Sequence, residues 1–71
     1  MEGWEYHRNP QRWTLRNGGW YALVQAVEGY RWRGLVERAQ PRERYEGPAY
    51  EDPEGARAWC VTKIAELRTR I

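Results

Sequence analysis

Between Gln11 and Arg38 apolar and polar residues alternate in three short runs, broken at Asn17-Gly18-Gly19 and at Glu28-Gly29. Alternation with a period of two marks strands with one buried face, and breaks rich in Asn and Gly mark hairpin turns. The pattern predicts strands over Arg12–Arg16, Trp20–Val27 and Tyr30–Arg38, with the middle, most apolar run at the centre of the sheet. Past Asp52 the period changes. Ala56, Cys60, Ile64, Leu67 and Ile71 fall on one stripe at about 100° per residue, which predicts a helix over 53–71. Trp59 and Lys63 flank that stripe on one side, Arg57 and Val61 on the other. Asp52 suits the N-cap, Pro53 the first helical position and Glu54 the positive end of the dipole, while Arg68 and Arg70 suit the C-terminal end.

The register of the strands decides which side chains share a face, because a slip of one residue inverts a whole strand. A three-residue loop at Asn17-Gly18-Gly19 sets Arg16 opposite Trp20, Leu15 opposite Tyr21 and Trp13 opposite Leu23. A two-residue turn at Glu28-Gly29 sets Val27 opposite Tyr30 and Gln25 opposite Trp32. One face then collects Trp13, Leu15, Tyr21, Leu23, Val27, Tyr30, Trp32 and Val36, a core face under the helix interrupted by Gln25. The other collects Arg12, Thr14, Arg16, Trp20, Ala22, Val24, Ala26, Arg31, Arg33, Leu35 and Glu37. A two-residue Asn17-Gly18 turn would instead place Trp13 and Leu15 with Arg31 and Arg33, mixing apolar and charged residues, and is rejected on that ground.

Residues 1–10 read as an arm, either loose or a short edge strand, whose Trp4 and Tyr6 fold back over a core edge; Pro10 interrupts any continuous strand there. Residues 39–52, with two Pro, one Gly and many charges, read as a loop with at most a brief strand around Tyr45. The expected fold class is therefore α+β. A three-stranded antiparallel meander (11–38) packs on one C-terminal α-helix (53–71) as two layers, in one β-β-β-α domain over 1–71.

Composition sharpens this outline. A chain of 71 residues has little interior, yet it carries five Trp and five Tyr and no Phe. Rings of about 150–250 Å² each exceed what such a core hides, so some lie at the surface, where Trp and Tyr serve contact with partners. Twelve basic residues against ten acidic leave a net charge of +2, and eleven of the basic residues are Arg. Residues 8–16 hold Arg8, Arg12 and Arg16 with no acid, whereas residues 43–54 hold Glu43, Glu46, Glu51, Asp52 and Glu54 against Arg44 alone. A basic side and an acidic side are expected. No apolar run approaches the ~18 residues of a membrane span, and the N-terminus lacks a signal-peptide pattern; a soluble cytoplasmic protein is expected.

Candidate chemistry is sparse. The chain has no Ser, one His (His7) and one Cys (Cys60, on the buried stripe), so neither a hydrolytic triad nor a disulfide nor a thiolate metal site can be assembled. Asp52 and Glu54 have structural roles at the helix start, and Gly18-Gly19 lies in a hairpin rather than before a helix, where a phosphate loop would place it. The expectation is a non-catalytic binding domain with no cofactor and no metal.

Binding then falls to the solvent face of the sheet. Small residues there let a partner approach closely while Arg12, Arg16, Arg31 and Arg33 reach around it, with Trp20 at one end. A β-ribbon can enter the major groove of DNA and read guanine through Arg. Three strands followed by a helix resemble the AP2/ERF DNA-binding domain and the N-terminal arm-binding domains of tyrosine integrases. The stretch Tyr45-Glu-Gly-Pro-Ala-Tyr-Glu-Asp-Pro-Glu-Gly-Ala-Arg-Ala-Trp59 resembles their passage from last strand to Ala-rich helix. The resemblance covers about residues 11–70 and implies that Arg12, Arg16, Trp20, Arg31 and Arg33 are the groove readers. The chain also looks like a small phage-type inhibitor or adaptor that binds a larger host protein, such as a defence nuclease or a polymerase. In that reading the same residues are hot spots, and the acidic run Glu43–Glu54 mimics a phosphate strand or steers toward a basic partner. A third reading is a self-associating homodimer, joined through a strand edge or the Ala/Val row.

Overall fold

The two hairpin turns of the sheet have the opposite lengths to those expected. In the computed structural model, which describes residues 3–69, Gly18 and Gly19 adopt φ of 58° and 86°. Both central residues are thus left-handed, the requirement of a two-residue type I′ turn, and Asn17 pairs with Trp20. At the next turn Glu28 keeps negative φ, and the positive φ falls on the two residues after it. The loop lengthens to Glu28-Gly29-Tyr30, with Gly29 at 78° and Tyr30 at 58°, and Val27 pairs with Arg31. Each correction shifts a pairing by one residue. Together they leave β2 (Arg12–Asn17) and β4 (Arg31–Arg38) in their expected relation and invert only the strand between them, β3 (Trp20–Val27).

Trp20, Ala22 and Val24 therefore point into the core, and Tyr21, Leu23, Gln25 and Val27 point to the open side. Trp13 and Trp32 remain on the inner face as expected, whereas Tyr21 is half-buried on the open face and Tyr30 is fully exposed. The inversion has a packing reason. The helix lies against β3, β4 and a fifth strand, and small residues beneath it allow close contact. Ala22, Val24 and Val36 are completely buried there.

The sheet has five strands rather than three, in the antiparallel order β1-β2-β3-β4-β5. The segment expected as a loose arm or a short edge strand forms the edge strand β1 (Glu5–His7), paired with β2. The segment expected as a loop contributes β5 (Glu43–Tyr50), an edge strand paired with β4. Leu35 pairs with Glu46 but Arg33 pairs with Ala49, so β5 carries an extra residue around Gly47-Pro48. A bulge on an edge strand is where a sheet tolerates Pro.

Helix α1 (Pro53–Thr69) matches its expected start and buried stripe: Ala56, Cys60, Ile64 and Leu67 are all buried. The Gly55 N–H donates to Asp52 Oδ1 at 3.0 Å, the expected cap. Arg70 and Ile71, assigned to the helix end and its stripe, and Met1 and Glu2 of the arm lie outside the described residues. At the C-terminal end Arg68 Nη1 donates to Asn17 Oδ1 at 2.9 Å, seating the helix over the β2–β3 turn.

Candidate functional site

Antiparallel pairing arranges the open face in rows. Glu5, Thr14, Leu23, Leu35 and Glu46 form a central row. On one side of it lie His7, Arg12, Gln25, Arg33 and Ala49, and beyond them Val27 and Arg31 at the β3–β4 tip. On the other side lie Arg16, Tyr21, Glu37 and Arg44. Successive rows are two residues apart, about 7 Å, so the arginines span roughly 20 Å along the strands. Arg16, Arg31, Arg33 and Arg44 are exposed, and the centre is apolar, with Leu23 and Leu35 half-buried.

Four of the five expected site residues, Arg12, Arg16, Arg31 and Arg33, thus share this face, because β2 and β4 keep their expected relation. Trp20 does not. It is 4% exposed, on the opposite side of the sheet, with the Arg38 guanidinium 4.7 Å above its ring. Nor does the row of small residues lie here; its place is taken by Tyr21, Leu23 and Gln25. Arg44 was hidden in the segment read as a loop, and the alternation of Glu43-Arg44-Tyr45-Glu46 was the available signal for it.

The cations divide into two groups by environment. Those on the helix side have partners that hold the fold together. Arg38 is paired with Glu43, which also accepts a 2.7 Å hydrogen bond from the Tyr45 hydroxyl. Arg57 lies 4.8 Å over Trp13, and Lys63 lies 4.8 Å over Tyr45. On the open face no described carboxylate lies within 4.0 Å of Arg12, Arg16, Arg31, Arg33 or Arg44. Arg12 donates to the Pro10 carbonyl at 3.0 Å, and Arg16 rests 5.6 Å over the ring of Tyr21. Five arginines against Glu5, Glu37 and Glu46 leave this face an excess of two positive charges.

At the Gly18-Gly19 end the face opens into a cleft of about 450 Å³ lined by Arg16, Gly19, Tyr21, Glu37, Arg38, Ala39 and Arg42. Arg42, from the β4–β5 connection, is a second cation that the sequence reading did not single out. Of the expected acidic side, Glu51, Asp52 and Glu54 are exposed together at the helix start, while Glu43 is tied to Arg38 and Glu46 stands on the open face among the arginines.

No group of three His, Cys, Asp or Glu among the described residues is placed to hold a metal ion. No described helix is long and apolar enough to cross a membrane. His7 Nε2 and Thr14 Oγ1 are hydrogen-bonded at 3.0 Å, and Glu5 lies 3.9 Å from the same ring nitrogen. Cys60 is fully buried, and desolvation pushes its thiol up to about 12, against the smaller opposing effect of a contact to the Leu35 carbonyl. Near pH 8 only about one thiol in 10⁴ is then ionised. A thiol-reactive reagent is expected to leave Cys60 unmodified in the native protein and to label it once urea unfolds the chain; prompt native labelling would contradict the burial. Comparison of the chain with protein-family models, with curated proteins and with solved structures finds no match.

Proposed function

We propose that the protein is a non-catalytic nucleic-acid-binding domain, with DNA as its ligand and the open face of the sheet as its contact surface. The observation that carries this reading is the sorting of the cations. On the open face Arg31, Arg33 and Arg44 have no hydrogen-bond, carboxylate or ring partner among the described residues, while Arg38, Arg57, Lys63 and Arg68 of the helix side each have one. Arginines without partners on one face are suited to phosphates, which supply most of the affinity in such complexes. The contact residues are Arg12, Arg16, Arg31, Arg33 and Arg44, with Tyr21 and Gln25 between them.

The mode of binding differs from insertion of the sheet into a groove. Five strands about 4.8 Å apart separate β1 from β5 by about 19 Å, whereas the major groove is about 12 Å wide. The face as a whole lies along a nucleic-acid strand, and only a hairpin tip is narrow enough to probe between bases. Tight binding by bulk charge is not expected from a net charge of +2. A handful of phosphate contacts predicts weak to moderate affinity that falls steeply with salt.

Anisotropy titrations with labelled DNA across a range of salt concentrations test this. Micromolar or tighter binding at low salt is expected. The joint change Arg31→Ala and Arg33→Ala removes most of that affinity and lowers the salt slope by about 1.4 for a single strand or about 1.8 for a duplex. Absence of binding at low salt would eliminate the proposal.

A further inference from the structure

Of the ten aromatic side chains, nine touch a ring, a cation or the core, and Tyr30 touches none of these among the described residues. It is 97% exposed. Its φ of 58° lies in the left-handed region, which a bulky side chain enters only at a cost in strain. The fold therefore carries a backbone cost at this position and gains no burial from the ring in return. Glycine would remove that cost, and the neighbouring Gly29 already occupies the same region.

The position also projects from the sheet. Pairing with β2 stops at Gln25, and pairing with β5 stops at Trp32, so residues 27–31 stand beyond both neighbours. Next along the chain, Arg31 and Arg33 point to the open face. Glu28 is exposed on the same tip. A ring with both sides free, followed by two unpaired arginines, has the order of a stacking group and its phosphate anchors.

We infer that Tyr30 stacks on an unpaired base and that the ligand of the open face is single-stranded or locally unpaired nucleic acid rather than continuous duplex. This rests on the reading of that face as the nucleic-acid surface. In a duplex the bases are stacked on one another and offer no free face to the tip. In a single strand each base presents one, and stacking tolerates any sequence.

The test compares a labelled single strand of mixed sequence with the same strand in a duplex, for wild type, Tyr30→Gly, Tyr30→Trp and the Arg31→Ala/Arg33→Ala pair. Expected are tighter binding of the single strand, a loss of roughly tenfold in that affinity for Tyr30→Gly, and near wild-type affinity for Tyr30→Trp. Tyr30→Gly melts at or above the wild-type temperature, so its weaker binding is not a folding defect. Equal single-strand binding by Tyr30→Gly and wild type, with loss only in the arginine pair, overturns the stacking role and leaves the arginine face standing. Wild type that binds neither form at low salt overturns both and turns the tip toward a protein partner.

Discussion

Trp20→Ala is expected to lower stability by about 3–5 kcal/mol, the range for truncating a buried aromatic residue. A chain of this length has roughly 4–11 kcal/mol in total, so the variant is close to unfolding at room temperature. The cost comes from the position of the ring. Trp20 is 4% exposed, covered by Arg38, whose guanidinium lies 4.7 Å from its centroid, and flanked by Tyr45 at 6.3 Å. Removing the indole leaves a cavity and uncovers a guanidinium whose Nε is already buried without a hydrogen-bond partner. An open-face position would give a different result, since exposed substitutions usually change stability by no more than about 0.5 kcal/mol. Urea denaturation followed by circular dichroism separates the two. A midpoint for Trp20→Ala near that of wild type would return the residue to the open face and reverse the register of β3.

That register is also the limit of what could be read from the chain. The helix stripe was legible because a repeat near 3.6 is sampled over 17 residues, and Asp52-Pro53 supplied an unambiguous start. The sheet offered less. Trp20–Val27 has apolar residues on either parity, so the pattern alone did not choose which of its faces is buried. The choice lay in the turns. Gly18-Gly19 has two residues free to take positive φ, which makes the tight turn available. Counting glycines gives that length but not the second, because there Tyr30 takes positive φ beside Gly29 although it is no glycine. Arg12, Arg16, Arg31 and Arg33 were placed correctly because the two errors cancel between β2 and β4. Trp20 was misplaced because it alone of the five lies on β3. β5 was hidden by Gly47 and Pro48, residues that argue against a strand until a bulge on an edge accommodates them.

Gly34→Ala is expected to be the most damaging single-methyl change in the protein, costing about 2–3 kcal/mol through overpacking. In an open strand the same change would be favourable, because Ala loses less backbone entropy on folding than Gly. Here a Cβ would meet Cys60 Sγ at 2.6 Å, the Ala56 carbonyl oxygen at 3.0 Å and the Trp59 ring at 3.2 Å. Two of these neighbours are side-chain atoms, but the Ala56 oxygen belongs to the helix backbone and moves only if α1 moves. At Gly47 the three nearest atoms all belong to the Trp59 ring, at 2.6–2.9 Å, and a ring can tilt, so Gly47→Ala is expected to cost less. The closest contact at Gly34 is to sulfur, and this makes a double-mutant cycle decisive. Combining Gly34→Ala with Cys60→Ala removes that contact and is expected to recover at least about 0.5 kcal/mol relative to the sum of the single changes. Strict additivity would mean that Cys60 Sγ is not what the added methyl meets, and would leave the cost of Gly34→Ala to the Ala56 carbonyl oxygen and the Trp59 ring.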